Sequence, residues 1–316
     1  MEMLRTEFLG KKVSSPLVLP AGVMGMSFSG LHFSAISGAG VVTSKSLTLN
    51  SRTGHKGPVI AEFEGGFINA MGLCNPGIEE GLAEINEFKK VCDKPVIVSV
   101  FATSTDDFIK LTKYVNTSKG DFLELNLSCP NVFDEFGIPL AASKEKVAEI
   151  IASVKKISKL PIIAKLSPNV YNISEIALSA EKAGADALCL INTVGPGMLI
   201  DKKMVKPILS NRTGGLSGPC VKPIALRLVH EVYSCVNIPI IGMGGITYGD
   251  DAIEIIMAGA TLVGVGTAVH YRGIEVFSKI NEEMKIFMKE ENYANLNEIP
   301  KLEKLWTKDS HCQLQK

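Results

Sequence analysis

Eight short runs of this chain are apolar almost without interruption, and they recur at helix-length intervals: LVLPAG (17–22), GVVTSK (40–45), PVIVSVF (95–101), FLELNLS (122–128), PIIAKLS (161–167), ALCLINT (187–193), IPIIGMGG (238–245) and TLVGVGTA (261–268). A run with no polar alternation suits a parallel strand buried on both faces. Between the runs lie amphipathic segments. Ser143 opens SKEKVAEIIASVKKI, in which Val147, Ile150, Ile151 and Val154 share one face and Ser143 is a favoured N-cap. Segments 172–183, 219–235 and 250–258 read the same way, and AGAD (183–186) and AGAT (258–261) put a glycine where a helix ends and a strand begins. Eight strands, each followed by a helix, is the count of an α/β (β/α)8 TIM barrel. The competing doubly wound sheet lacks its GxGxxG after the first strand. Two connections are too long for plain loops, 46–78 after strand 2 and 194–218 after strand 6, and both belong to the C-terminal face where barrels build their sites. A barrel of roughly 250 residues with insertions accounts for residues 1–316 as one domain.

Lys+Arg and Asp+Glu both number 33, so there is no basic excess of the kind that nucleic-acid binding favours. The seven cysteines (74, 92, 129, 189, 220, 235, 312) form no CxxC pair and no spacing with histidine, which excludes a disulfide framework and a zinc or iron–sulfur ligand set. The N-terminus, MEMLRTEFLGKK, is charged without an apolar core, and no apolar run approaches the ~18–20 residues of a membrane span. The expected location is the cytoplasm.

Chemistry in a barrel gathers where strands end. In order, those ends carry Lys45, Asn126 with Cys129, Lys165, Asn192 with Thr193, Gly244–Gly245 and Gly266–Thr267. Lysine is seldom buried, yet Lys165 closes the apolar run PIIAK; an anionic ligand or a cofactor explains it, and snorkelling from the strand end is the plainer alternative. GMGG and GVGT end the last two strands, where barrels often bind phosphate through peptide N–H groups. Asn69, Asn126, Asn131 and Asn192 offer donor and acceptor edges to a small planar ligand, although asparagine is also common in turns. Cys129, in ELNLSCPN (124–131), is either a buried inert thiol or a reactive one. Only His270 lies near a strand end, so a Cys–His nucleophile has no support. A thiol with a pKa of about 8.5 can instead act as a general base where cations ease its deprotonation.

VVTSKS (41–46), INAMGLCNPG (68–77), ELNLSCPNV (124–132), AKLSPNV (164–170), LINT (190–193), GGLSGP (214–219), KPIALR (222–227), IPIIGMGG (238–245) and VGTA (265–268) run in one order over nearly the whole chain. In sequence and spacing they resemble the class 1, soluble dihydroorotate dehydrogenases. NPG and GGLSGP look most like the catalytic subunit of the NAD-linked, type B subclass and its archaeal relatives.

The resemblance implies an FMN-dependent oxidation of dihydroorotate to orotate in pyrimidine biosynthesis. Cys129 matches the family's base, taking a proton from C5 while hydride leaves C6 for flavin N5. Lys45, Asn69, Met71, Gly72, Leu73, Asn126, Asn131, Asn192 and Thr193 match substrate-binding positions. Ala21, Lys45, Ser46, Ser99, Asn126, Lys165 and Ile191 match positions along the flavin, and Lys165 would stabilise its reduced form. Gly218, Gly244, Gly245, Gly266 and Thr267 match the phosphate and ribityl contacts. Segment 130–142 matches a loop that closes over the substrate. Ala21 stands where relatives often carry Ser, and Ser99 where NAD-linked relatives often carry Asn. The alternative within related chemistry is a dihydropyrimidine dehydrogenase-like reductase of uracil or thymine, against which Asn69 and Asn131 weigh. The chain has neither a Rossmann fingerprint nor an iron–sulfur cysteine cluster, so the resemblance implies a separate FAD and iron–sulfur subunit that passes electrons to NAD, with fumarate as the alternative acceptor. Relatives form homodimer cores, alone or within heterotetramers.

Overall fold

The computed structural model describes residues 2–128 and 142–304. Cys129, Asn131 and residues 130–141 of the expected closing loop lie outside the described residues.

Each of the eight apolar runs contains a strand: β1 (Leu17–Leu19), β2 (Val41–Thr43), β3 (Val96–Val100), β4 (Phe122–Asn126), β5 (Ile162–Lys165), β6 (Ala187–Leu190), β7 (Ile240–Met243) and β8 (Leu262–Gly264). Each pairs in parallel with its chain neighbours, and β8 returns to β1, closing the barrel. Helices α1 (Phe28–Ile36), α2 (Ile78–Val91), α3 (Thr105–Val115), α4 (Lys144–Lys155), α5 (Ile173–Lys182), α6 (Lys222–Cys235), α7 (Gly249–Met257), α8 (Ala268–Arg272) and α9 (Val276–Glu290) follow the strands in turn, with α9 added after the last of them.

The helix starts show local chemistry at work. Ser143 accepts from the Lys146 N–H at 3.2 Å and Asn172 from the Glu175 N–H at 3.2 Å. Such caps each stabilise a helix by about 1 kcal/mol. The α4 residues Val147, Ile150, Ile151 and Val154 are all fully buried, as their spacing requires.

Alternation along the strands divides the core in two. One set, with Leu17, Val42, Val96, Val98, Leu123, Leu125, Ala164 and Leu188, faces the helices. The other fills the barrel: Val18, Val41, Ile97, Phe122, Ile163, Ala187, Cys189, Ile241, Met243 and Leu262. An N-terminal hairpin (Thr6–Phe8 with Lys11–Val13) closes the bottom, packing Phe8 edge-on against Phe122 at 5.5 Å. The same parity carries Ser99, Glu124, Asn126 and Lys165 inward, so the interior becomes polar toward the C-terminal face.

The two long insertions meet there. Strands Ile60–Phe63 and Gly66–Asn69 of the first join Val194–Gly197 and Gly214–Ser217 of the second in one antiparallel four-stranded sheet. The glycines of GGLSGP make this junction close. A Cβ on Gly215 would lie 2.1 Å from Thr193 Oγ1, and one on Gly214 2.5 Å from the Asn69 carbonyl. Asn75 ties down the other arm: its Oδ1 accepts from the N–H groups of Thr48 (3.1 Å) and Gly77 (2.9 Å), and its Nδ2 donates to the Leu73 carbonyl at 2.8 Å.

Candidate active site

Barrel mouth and added sheet enclose a cleft of ≈ 1240 Å³. Single small-molecule pockets run to about 1,000 Å³, so this one has room for two ligands side by side.

Its floor is a row of strand ends. Lys165, at the end of β5, is only 4% exposed, and among the described residues its Nζ has no hydrogen-bond or ion-pair partner. Lys45, two residues beyond β2, lines the same cleft, its backbone held by a 2.7 Å bond from its N–H to the Gly25 carbonyl. Burial first, and then the Lys165 ammonium, lower the Lys45 pKa below 10.5. Two cations brought together away from water favour an anion between them.

The amides stand beside the lysines. Asn126 Oδ1 accepts from Ser128 Oγ (2.6 Å) and the Ser128 N–H (3.3 Å), and its Nδ2 donates to Ser46 Oγ at 3.1 Å. Asn192 Nδ2 donates to Ser128 Oγ, and its Oδ1 accepts from the Thr193 N–H at 2.8 Å. Asn69 reaches the Gly215 carbonyl at 3.4 Å from the sheet above. Met71, Gly72 and Leu73 form the rim nearby, and Leu73 adopts a φ of 58°.

A cradle without side-chain charge closes the opposite end. Gly218, Gly244, Gly245, Gly266 and Thr267 line it. Gly245 has a φ of 79°, and a Cβ there would lie 2.8 Å from the Lys222 nitrogen and Cβ, so the loop lies flat on the first turn of α6. Among the described residues the N–H groups of Gly244, Gly245, Gly266 and Thr267 donate to no loop carbonyl or side chain. Lys222 is turned away, paired with Asp251 at 2.6 Å and Glu254 at 2.8 Å. Peptide dipoles alone therefore face an anion here, as at many phosphate sites.

Of the residues singled out in the sequence, Ala21, Lys45, Ser46, Asn69, Met71, Gly72, Leu73, Asn126, Lys165, Ile191, Asn192, Thr193, Gly218, Gly244, Gly245, Gly266 and Thr267 line this one cleft. Ser99 does not. It is fully buried beneath Ser46, with its hydroxyl 2.9 Å from Ser46 Oγ and donating to Glu124 Oε1 at 2.7 Å. A shorter side chain than Asn at this position stops one layer below the cleft. Arg52, His55, Ser128 and Asn169 line the cleft without having been singled out as binding residues. Asn169 holds the start of the second insertion, donating to the Thr193 carbonyl at 3.1 Å and accepting from the Gly195 N–H at 2.8 Å. Its place in AKLSPNV, just past Lys165, was the available signal.

A family model described as dihydroorotate dehydrogenase matches residues 3–288. The catalytic subunit of dihydroorotate dehydrogenase B (NAD(+)) from Methanothermobacter thermautotrophicus is 44% identical over 298 residues, covering 94% of this chain and 97% of that protein. The subunit of the same name from Pyrococcus abyssi is 44% identical over 297 residues, 94% of this chain and 98% of that protein. The one from Bacillus mycoides is 42% identical over 299 residues, 94% and 96% respectively.

Proposed function

The chain belongs to the dihydroorotate dehydrogenase family, and from that premise we propose that it oxidises dihydroorotate to orotate in pyrimidine biosynthesis, using FMN. The observation that carries this reading is the single cleft with a neutral phosphate cradle at one end and, at the other, a buried and a half-buried lysine among amides. FMN and a pyrimidine carboxylate make the same demands: a phosphate far from a planar ring system, beside a second, anionic ring.

Gly218, Gly244, Gly245, Gly266 and Thr267 hold the phosphate and ribityl chain. Ala21, Ser46, Ile191, Asn126 and the two lysines line the ring system. When bound, FMN supplies the acceptor for the hydride leaving C6. Asn69, Met71, Gly72, Leu73, Asn126, Asn131, Asn192 and Thr193 orient the substrate, and Lys45 faces its anionic side. Cys129 Sγ takes the C5 proton. A ring C–H beside a carbonyl is a weak acid, so positioning and charge supply much of the rate.

The relatives are named catalytic subunits of NAD-linked enzymes, which supports a partner subunit for this chain too. We assign that partner an FAD and an iron–sulfur centre, which carry electrons on to NAD. The purified chain is expected to be yellow and to bleach anaerobically on addition of dihydroorotate. A colourless chain that binds no added FMN, or one whose absorbance ignores dihydroorotate, sinks the reading. Turnover with NAD only in the presence of the partner fits the NAD-linked assignment; turnover with fumarate by the chain alone overturns it.

Gly245→Ala tests the cradle. The new methyl meets the Lys222 backbone and must adopt a left-handed φ, so the loop lifts from α6. FMN retention through gel filtration is expected to fall by about tenfold, an effect of the size of one lost charge-assisted hydrogen bond. Unchanged flavin content in this variant contradicts the cradle's role.

A further inference from the structure

From the floor of the cleft down into the barrel interior, six side chains form one hydrogen-bonded chain. It runs from Asn192 Nδ2 to Ser128 Oγ, from Ser128 Oγ to Asn126 Oδ1 (2.6 Å), from Asn126 Nδ2 to Ser46 Oγ (3.1 Å), then from Ser46 Oγ to Ser99 Oγ (2.9 Å) and from Ser99 Oγ to Glu124 Oε1 (2.7 Å). A serine hydroxyl has a single hydrogen, and an ionised carboxylate can only accept. Ser99 spends its hydrogen on Glu124, so it must accept from Ser46, and Ser46 must in turn accept from Asn126. Every donor then points the same way, toward Glu124.

The consequence reaches the ligand through Asn126. Its Oδ1 is filled by the Ser128 hydroxyl and N–H, and one Nδ2 hydrogen goes to Ser46. The remaining N–H has no partner among the described residues, on a side chain that lines the cleft. Glu124 is 2% exposed and touches no part of that cleft. A carboxyl group buried in the barrel interior, away from the ligand, needs a reason. Lys165 is carried into the barrel interior by the neighbouring strand, and both it and Glu124 act on the buried Cys189 thiol.

We propose that Glu124 is a positioning residue that fixes the donor direction of this chain, so that Asn126 meets its ligand with an N–H and selects a ring carbonyl or oxyanion there. Glu124 and Ser99 act through Asn126 and Ser46, and their role rests on reading the cleft as the dihydroorotate site. Glutamine at 124 keeps the shape but offers an N–H₂ edge as readily as a C=O edge. Its reversed order would turn Asn126 Oδ1 toward Ser46 and its N–H₂ against the two donors of Ser128. The chain then loses a single direction.

Orotate binding is measured by calorimetry on the FMN-loaded chain, with thermal melting and flavin content recorded alongside. The unmodified chain is the check on the functional reading: if it holds FMN and binds orotate, the comparison among variants concerns Glu124 alone. Glu124→Gln and Ser99→Ala are each expected to weaken orotate about tenfold with flavin content retained. The double variant is expected to stay near tenfold, because both changes cut the same chain, whereas independent effects multiply toward a hundredfold. Should Glu124→Gln fail to fold, Ser99→Ala keeps the carboxylate and still interrupts the chain. Orotate affinity within twofold of the unmodified chain in the variants that fold overturns the role, whether or not melting shifts. A hundredfold loss in the double variant does the same.

Discussion

Cys129→Ala is expected to retain FMN and bind orotate while turnover at pH 7–8 falls by about 10²–10⁴, the usual contribution of a positioned general base. The expectation rests on the family and on what the cleft lacks. Among the described residues lining it, the side chains able to accept a proton near neutral pH are few: His55 and His270. His55 is tied to the Ala70 carbonyl at 3.2 Å, and His270 stacks edge-on against Phe67 at 4.8 Å on the far wall. A thiol of ordinary pKa about 8.5 is suited to the task, and nearby cations favour a thiolate. The pH profile gives a second measurement. In the native chain kcat is expected to rise with pH as the thiol ionises and then to level off. In Cys129→Ser the rising limb should move up by several pH units, since a hydroxyl is a far weaker acid than a thiol. Alanine-variant turnover within tenfold of the native chain, with the rising limb in place, removes Cys129 from the base role.

The barrel was legible because eight parallel strands buried on both faces leave eight apolar runs at helix-length spacing. The floor of the cleft followed from it. Lys45, Asn126, Lys165 and Asn192 stand at or just past the ends of apolar strands, where a barrel gathers its chemistry. The roof was not legible: pairing of Gly66–Asn69 with Gly214–Ser217 joins segments far apart in sequence, and neither segment states its partner. Ser99 stands below the cleft rather than along it for a related reason. Both faces of β3 are buried, so alternation says which residues share a face but not how deep each lies, and Ser99 sits one layer lower than its position at a strand end suggested. Glu124 was hidden within FLELN, where a lone acid in an apolar run gives no sign that it anchors a chain of hydrogen bonds to residues on three other strands or their loops. The extra α9 and the N-terminal hairpin carry ordinary amphipathic or short apolar patterns, and only the closed barrel shows the hairpin to be its bottom plug.

Lys165→Met should leave the fold intact and reduce turnover by about 10²–10³, the range found when one charge-stabilising donor is removed from a water-excluded site. Methionine fills the same volume, so no cavity is left in the barrel. The ammonium is nearly out of solvent and unpaired among the described residues, so its charge is available to whatever occupies the cleft. FMN binding is expected to weaken less than turnover, because the cradle proposed for its phosphate contains no lysine. The variant also reports on Lys45. In the native chain that pKa is lowered by burial and secondly by Lys165. Below 10.5 the unfolded chain therefore binds more protons at Lys45 than the folded one, and the Lys45 contribution to stability rises with pH through that window. Without Lys165 the second cause vanishes, so the Lys45 titration followed by NMR of labelled lysine Cε should move up toward 10.5 while remaining below it. A Lys45 midpoint that does not move would show that the two ammonium groups do not share one field. Native turnover in Lys165→Met would mean that the charge at the end of β5 serves only the barrel.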